Sequence, residues 1–203
     1  MIPPDQKNDE WAQVWNARIE ALASILGKPA DSVYHATIPF AFRDAGGSAD
    51  VVLFPNYITG ATYVTAELTG SDAGQIPNSF GNYELMICTR EPMPSAADFI
   101  SRLACYTCDA ELESGETMDI GDFFDDQTLR AVLFAHPGEG PSYYTIKDKQ
   151  YSLLLCVGIT SRELTFAHEY GTETLLKQLK ANNIFPYTVP NRTSVPLPSQ
   201  EPT

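Results

Sequence analysis

The chain has 203 residues, 43% of them hydrophobic and 11% aromatic, which is enough to bury a core and excludes disorder as the state of most of it. Thirteen basic against 26 acidic side chains leave a net charge of −13, a field that repels nucleic acid and anionic lipid and favours cationic partners. The most apolar run, Leu153–Ile159, is too short to span a bilayer, and the opening MIPPDQKNDEW has neither the basic segment nor the apolar core of a signal peptide. The expectation is a soluble cytoplasmic protein that binds neither nucleic acid nor membrane, with Cys88, Cys105, Cys108 and Cys156 reduced.

From Asp5 to about Leu26, apolar residues at Trp11, Val14, Trp15, Ile19, Leu22 and Ile25 recur at spacings of three and four, which predicts a helix stopped by Gly27 and Pro29. Four strand candidates follow at 32–40, 50–55, 61–68 and 83–89, separated by Gly, Asn, Asp and Pro. A second helix is expected over 95–113, with Ser95 as N-cap and Phe99, Leu103 and Tyr106 on its apolar side. After an acidic, turn-rich segment come strands at 129–136 and 151–159. The last helical region runs to about Asn182 with a break at Gly171.

Thr160 and Glu163 match a Thr-x-x-Glu capping box, in which the side chains satisfy the helix N-terminal amides and leave few donors for an anion. Gly158 is expected to make the tight strand-to-helix connection, with Leu175 and Leu176 returning to the core. Strands, a helix, more strands and a closing helix make an α+β fold: a mixed, largely antiparallel sheet with helices packed on it, in a single domain. The boundaries read as an N-terminal helix at 1–30 packed on the domain, the domain proper at 31–195, and a flexible tail at 196–203.

No catalytic signature is complete. The Cys105-x-x-Cys108 pair falls inside the second predicted helix, away from the N-terminus where a dipole would activate a thiol, and Cys88 and Cys156 lack the paired spacing of a zinc site. His35, His136 and His168 show no metal-binding spacing, and phosphate-loop and nucleophile-elbow patterns are absent. A thiol enzyme with Cys156 or Cys88 as nucleophile and a histidine such as His168 as base is the disfavoured alternative. No cofactor or metal is expected.

The run from Asp109 to Asp126 holds eight carboxylates and no Lys or Arg, yet lacks the order of a calcium loop. With Phe123 and Phe124 framed by acids, it has the composition of an interface for a basic protein. The candidate contact residues are Glu113, Glu116, Asp119, Asp122, Phe123, Phe124, Asp125 and Asp126.

The order YVTAELTG (63–70), NYELMICTRE (82–91), ISRLACY (100–106), ESGETMD (113–119), LLLCVGITSRELTFAHEYGTETLLKQL (153–179) and VPNRTSV (189–195) resembles the suppressor-of-fused domain family over roughly 33–195. The resemblance implies an α+β domain that binds proteins and is not known for catalysis. Its eukaryotic namesake restrains Hedgehog-pathway transcription factors with the help of a second domain that this chain is too short to contain. Stand-alone bacterial relatives look like immunity proteins, which neutralise a toxin by direct contact. It implies no individual contact residues. An adaptor or regulatory role unrelated to toxins is the other reading of the same resemblance.

Overall fold

The computed structural model describes residues 4–70, 74–121, 123, 128–138 and 142–198, and every structural statement here concerns those residues. Helix α1 (Pro4–Leu26) leads into strands β1 (Val33–Tyr34), β2 (Val51–Phe54), β3 (Ala61–Thr65) and β4 (Tyr83–Thr89). Helix α2 (Pro94–Leu103) and strands β5 (Thr117–Asp119), β6 (Leu129–Ala135), β7 (Tyr143–Ile146) and β8 (Lys149–Thr160) follow. Helices α3 (Ser161–Tyr170) and α4 (Thr172–Ala181) complete the order. Two 3-10 segments, Phe40–Ala45 and Ala104–Cys108, interrupt it.

The strands form one eight-stranded sheet in the order β1-β2-β3-β4-β8-β6-β5, with β7 also paired to β8. Only the β4–β8 pairing is parallel, so the sheet is mixed and largely antiparallel, as expected. Strand β8 is the axis. It pairs with β4 along one edge, and along the other with β7 over its first residues and β6 over its last.

Both faces of the sheet are covered, which explains why β4 and most of β8 are buried at successive residues rather than at alternate ones. One face, carrying Tyr83, Leu85, Ile87, Leu154, Cys156 and Phe134, packs on Ala96, Phe99, Ile100 and Leu103 of α2. The other, carrying Val64, Met86, Leu155 and Val157, packs on Leu22 and Leu26 of α1, Phe166 of α3, and Leu175 and Leu179 of α4. Each Val, Leu, Ile, Phe or Met side chain among them that is fully removed from water contributes roughly 1.5–3 kcal/mol.

One position on β4 breaks the apolar pattern. Glu84 is fully buried on the α1 side and accepts hydrogen bonds from the Leu68 and Thr69 amides (3.0 and 2.9 Å) and the Thr65 and Thr69 hydroxyls (2.6 and 2.8 Å). Arg18 of α1, also buried, pairs with it at 3.4 Å and donates to the carbonyls of Ala66 and Thr69. Because the Thr69 hydroxyl hydrogen is spent on Glu84, Tyr144 of β7 donates to the Thr69 oxygen at 2.8 Å. Burial pushes the Glu84 carboxyl upward, and Arg18, Thr65 and Thr69 pull against it.

Several expected boundaries move for local reasons. The strand expected over 32–40 keeps only Val33–Tyr34, because Asp50 captures the Ala36 amide (2.9 Å) and His35 Nδ1 (2.7 Å) and turns the chain off the ladder. Helix α2 begins with Pro94 at its first position after Met93; Ser95 is not its cap. It gives way to the 3-10 segment at Ala104, well short of 113. Trp11 is 57% exposed and stacks on Trp15, so the apolar face of α1 does not extend inward to it.

Strand β7 is an element beyond the sequence expectation. Its hairpin to β8 turns at Lys147-Asp148, with Lys147 at φ 50°, a left-handed conformation normally signalled by Asn or Gly. Gly158 lies inside β8 and makes no turn: a Cβ there would sit 2.8 Å from Leu129 Cδ1 and Thr188 Cγ2, so it permits a close approach. Gly171, at φ 85°, separates α3 from α4 as expected. The flexible tail expected at 196–203 falls partly on residues 199–203, which lie outside the described residues.

The buried pair sets a stability test. Arg18→Met strands the Glu84 carboxylate in the core and should lower the free energy of unfolding by roughly 3–5 kcal/mol in a urea titration. A loss below about 1 kcal/mol would show that the pair does not anchor α1.

Candidate protein-binding surface

The acidic run begins where the second 3-10 segment ends. Such a helix has three residues per turn, so side chains three apart lie along one edge. Ala104 and Thr107 form the buried edge, Cys105 and Cys108 a half-buried one, and Tyr106 and Asp109 the exposed one. Tyr106 is 58% exposed, the reverse of its expected place in the core. The first 3-10 segment, kinked at Phe42, buries Phe40 and leaves Phe42 62% exposed. The two segments pack together, and Cys105 Sγ donates to the carbonyl of Gly47, just beyond the first.

Beyond Asp109 the carboxylates divide. Asp109 and Glu111 are exposed. Glu113 is half-buried and holds the neighbouring loop, accepting from the Ser79 amide at 2.5 Å and the Ser79 hydroxyl at 2.9 Å. Partial desolvation opposes its ionisation, but the hydrogen bonds from Ser79 prevail and bring its pKa below the ordinary value. Glu116 accepts from the Glu113 amide at 3.0 Å and closes the turn that leads into β5. Asp119, at the end of β5, accepts from the Gly121 amide (2.8 Å) and pairs with Arg130 at 3.5 Å, both side chains remaining substantially exposed.

Phe123 is half-buried, edge-on to Phe99 at 5.0 Å, with the Arg102 guanidinium 5.6 Å from its ring centre. Asp122, Phe124, Asp125 and Asp126 lie outside the described residues. The structure therefore brings together Glu113, Glu116 and Asp119 along one edge of the sheet and gives each an intramolecular partner. The exposed aromatics Phe42 and Tyr106 were missed. Their signal, an aromatic within a short turn of about 3.0 rather than 3.6 residues, is hard to tell from a helical stripe by spacing alone.

Beside this region a groove of about 490 Å³ opens between β1 and α2, lined among others by His35, Ile38, Asp98 and Arg102. Within it Asp98 pairs with Arg102 at 3.1 Å, and His35 Nδ1 lies 2.7 Å from Asp50 Oδ2.

The thiols considered as nucleophiles are placed unfavourably for that role. Cys88 and Cys156 are fully buried, and burial pushes Cys88 up to about 12, despite the Thr62 hydrogen bond, and Cys156 further. His168 is exposed and faces Thr117 across 3.4 Å, whereas Cys156 belongs to the core cluster on the α2 face. Among the described residues no group of three or more His, Cys, Asp or Glu side chains is placed to hold a metal ion. None of their helices is long and apolar enough to cross a membrane.

At the other end of β8 the expected capping box is present. The Thr160 hydroxyl accepts from the Glu163 amide and the Glu163 carboxylate accepts from the Thr160 amide at 2.9 Å. Glu163 is fully buried, and Arg192 from the C-terminal segment reaches it at 2.5 Å while also donating to the carbonyl of Gly158 at 3.1 Å. The Val195 amide donates to the same carboxylate at 2.9 Å. With its amides capped and its acid paired, this joint is architecture.

The chain matches the family model described as Suppressor of fused protein (SUFU) over residues 48–193. Among solved structures it resembles a SUFU homologue from Neisseria gonorrhoeae, with TM-score 0.67 and 17% identity over 93% of this chain and 100% of that one. A chain of the Sufu–Fu complex matches with TM-score 0.70 and 12% identity, covering 89% of this chain and 91% of that one. Drosophila Suppressor of Fused matches with TM-score 0.53 and 12% identity over 80% of this chain and 42% of that one. No curated protein matches the chain in sequence.

The placement of the thiols predicts their chemistry. With a maleimide reagent at neutral pH, native protein should label at Cys105 and Cys108, and at Cys88 and Cys156 only after denaturation. Rapid native labelling of Cys156, read by peptide mapping, would revive the thiol-enzyme alternative.

Proposed function

The chain belongs to the suppressor of fused family, and on that premise we propose that it acts by binding another protein and not by catalysis. We further propose that it serves as an immunity-type protein that neutralises a basic toxin domain by direct contact. The observation that carries this reading is the carboxylate-only run from Asp109 to Asp126, on a chain of net charge −13, continuing directly from the exposed Tyr106. Exposed aromatics rimmed by acids suit a partner whose own surface is cationic. The aromatics would supply buried contact area, while the acids would steer the encounter.

The proposed surface comprises Glu113, Glu116, Asp119, Asp122, Phe123, Phe124, Asp125 and Asp126, extended by Tyr106 and Phe42. Glu113 and Glu116 shape it by fixing its turns, and the other acids supply its field. A second reading, an adaptor or regulatory binder unrelated to toxins, is supported by the likeness to a chain crystallised as the Sufu–Fu complex. Both readings place the work in protein–protein contact in the cytoplasm and differ in the partner.

Replacing Asp119, Asp122, Asp125 and Asp126 by Asn should slow association with a basic domain encoded by a neighbouring gene by about tenfold at low salt, and should flatten the salt dependence of the rate. Surface plasmon resonance at two ionic strengths measures both. An unchanged on-rate in a complex that still forms would remove the acidic surface from the mechanism, and a partner without net positive charge would favour the adaptor reading.

A further inference from the structure

We propose that Cys105 and Cys108 are a reversible dithiol–disulfide site, closed by a small-molecule disulfide of the glutathione type, and that closing it releases the Phe42 segment from the Tyr106 segment. The pair lies within the 3-10 segment Ala104–Cys108, not inside an α-helix. In 3-10 geometry residues i and i+3 are eclipsed and rise about 6 Å, within the roughly 4.4–6.8 Å between Cα atoms that a disulfide spans. The burial pattern shows the eclipse directly: Ala104 and Thr107 are buried together, Cys105 and Cys108 are half-buried together, and Tyr106 and Asp109 are exposed together. Both sulfurs are thus reachable on one edge, whereas Cys88 and Cys156 are sealed in opposite cores of the sheet.

The chemistry balances without any other group. Cys108 as thiolate attacks one sulfur of the small disulfide, forming a mixed disulfide and releasing one thiol. Cys105 then attacks the Cys108 sulfur and releases the second. Two protein thiols are oxidised, one disulfide is reduced to two thiols, and the two thiol protons leave with them.

The consequence follows from what the Cys105 hydrogen does in the reduced form, where it is donated to the Gly47 carbonyl. Gly47 is buried against the Phe42 turn: its amide donates to the Phe42 carbonyl at 3.2 Å, and the Ser48 amide to that of Ile38 at 2.9 Å. A disulfide carries no hydrogen, so oxidation removes the Cys105 donor to Gly47, one of the ties between the two 3-10 segments. This chemistry stands whether or not their aromatics contact a partner.

The full-length protein is incubated with oxidised glutathione and analysed by intact mass, peptide mapping and amide hydrogen exchange. The expected product has lost two hydrogens, links Cys105 to Cys108, and reverts with dithiothreitol. Cys105→Ser and Cys108→Ser should instead carry one glutathione on the remaining cysteine. The Gly47 and Ser48 amides should exchange about tenfold faster in the oxidised protein, as expected for losing one hydrogen bond. Cys105→Ala should reproduce that acceleration without oxidant, and Cys105→Ser, which keeps a donor, should not. Glutathione adducts on the wild type without ring closure would overturn the disulfide. Ring closure with unchanged exchange at 47–48 would overturn the release.

Discussion

Two carboxylates with no access to water govern how the ends of this chain are held. Glu84 sits in the middle of the sheet and Glu163 at the first turn of α3, both fully buried, and each is matched by an arginine from a distant part of the sequence. Arg18 comes from the N-terminal helix and Arg192 from the C-terminal segment. A buried charge without its partner is costly, so each pair converts the docking of a terminal segment into a condition for burying a core acid. The additional donors matter as much as the arginines. Glu84 accepts two amides and two hydroxyls, and Glu163 accepts two amides, so neither acid depends on Coulomb attraction alone.

The family match begins at residue 48, whereas the packed unit begins earlier. Helix α1 precedes the matched span, yet it covers one face of the sheet with Leu22 and Leu26 and supplies the only arginine that reaches Glu84 among the described residues. The helix is therefore integral to the packed unit. On the opposite face α2 is the covering helix, helped by Phe40, Ala104 and Leu112; it ends early and hands the chain to a 3-10 turn.

The readable parts of the sequence were those whose signal is local. Strand β4 was found to the residue because an uninterrupted apolar run bounded by turn residues admits few alternatives. The Thr160–Glu163 box was found because both halves lie within one turn. Long-range pairing left no such mark: nothing near Glu84 announces Arg18, and the apolar run conceals that an acid belongs inside. Strand β7 was missed because its turn uses Lys147 where the left-handed conformation usually calls for Gly or Asn. At the candidate surface, the acids were visible as composition. Their division into turn-forming Glu113 and Glu116 and outward-facing Asp109 and Glu111 depends on Ser79 and on the fold of the 114–116 turn, which composition does not encode.

The same distinction bears on why exposed aromatics and thiols occur together. An α-helix laid on a sheet can bury a stripe wider than a third of its circumference, but a 3-10 segment has three edges and can hide only one. Tyr106 is exposed because its segment buries Ala104 with Thr107, whereas Phe42 is exposed at a kink (φ −104°, ψ 46°) inside the segment that buries Phe40. The middle edge is left at the boundary, neither sealed nor open, and in the second segment that edge is Cys105 and Cys108. A boundary position is where a thiol can both hydrogen-bond inward, as Cys105 does to Gly47, and meet a reagent from solvent. The geometry that displays the aromatic surface is therefore also the geometry that makes its neighbouring thiols reactive partners for each other.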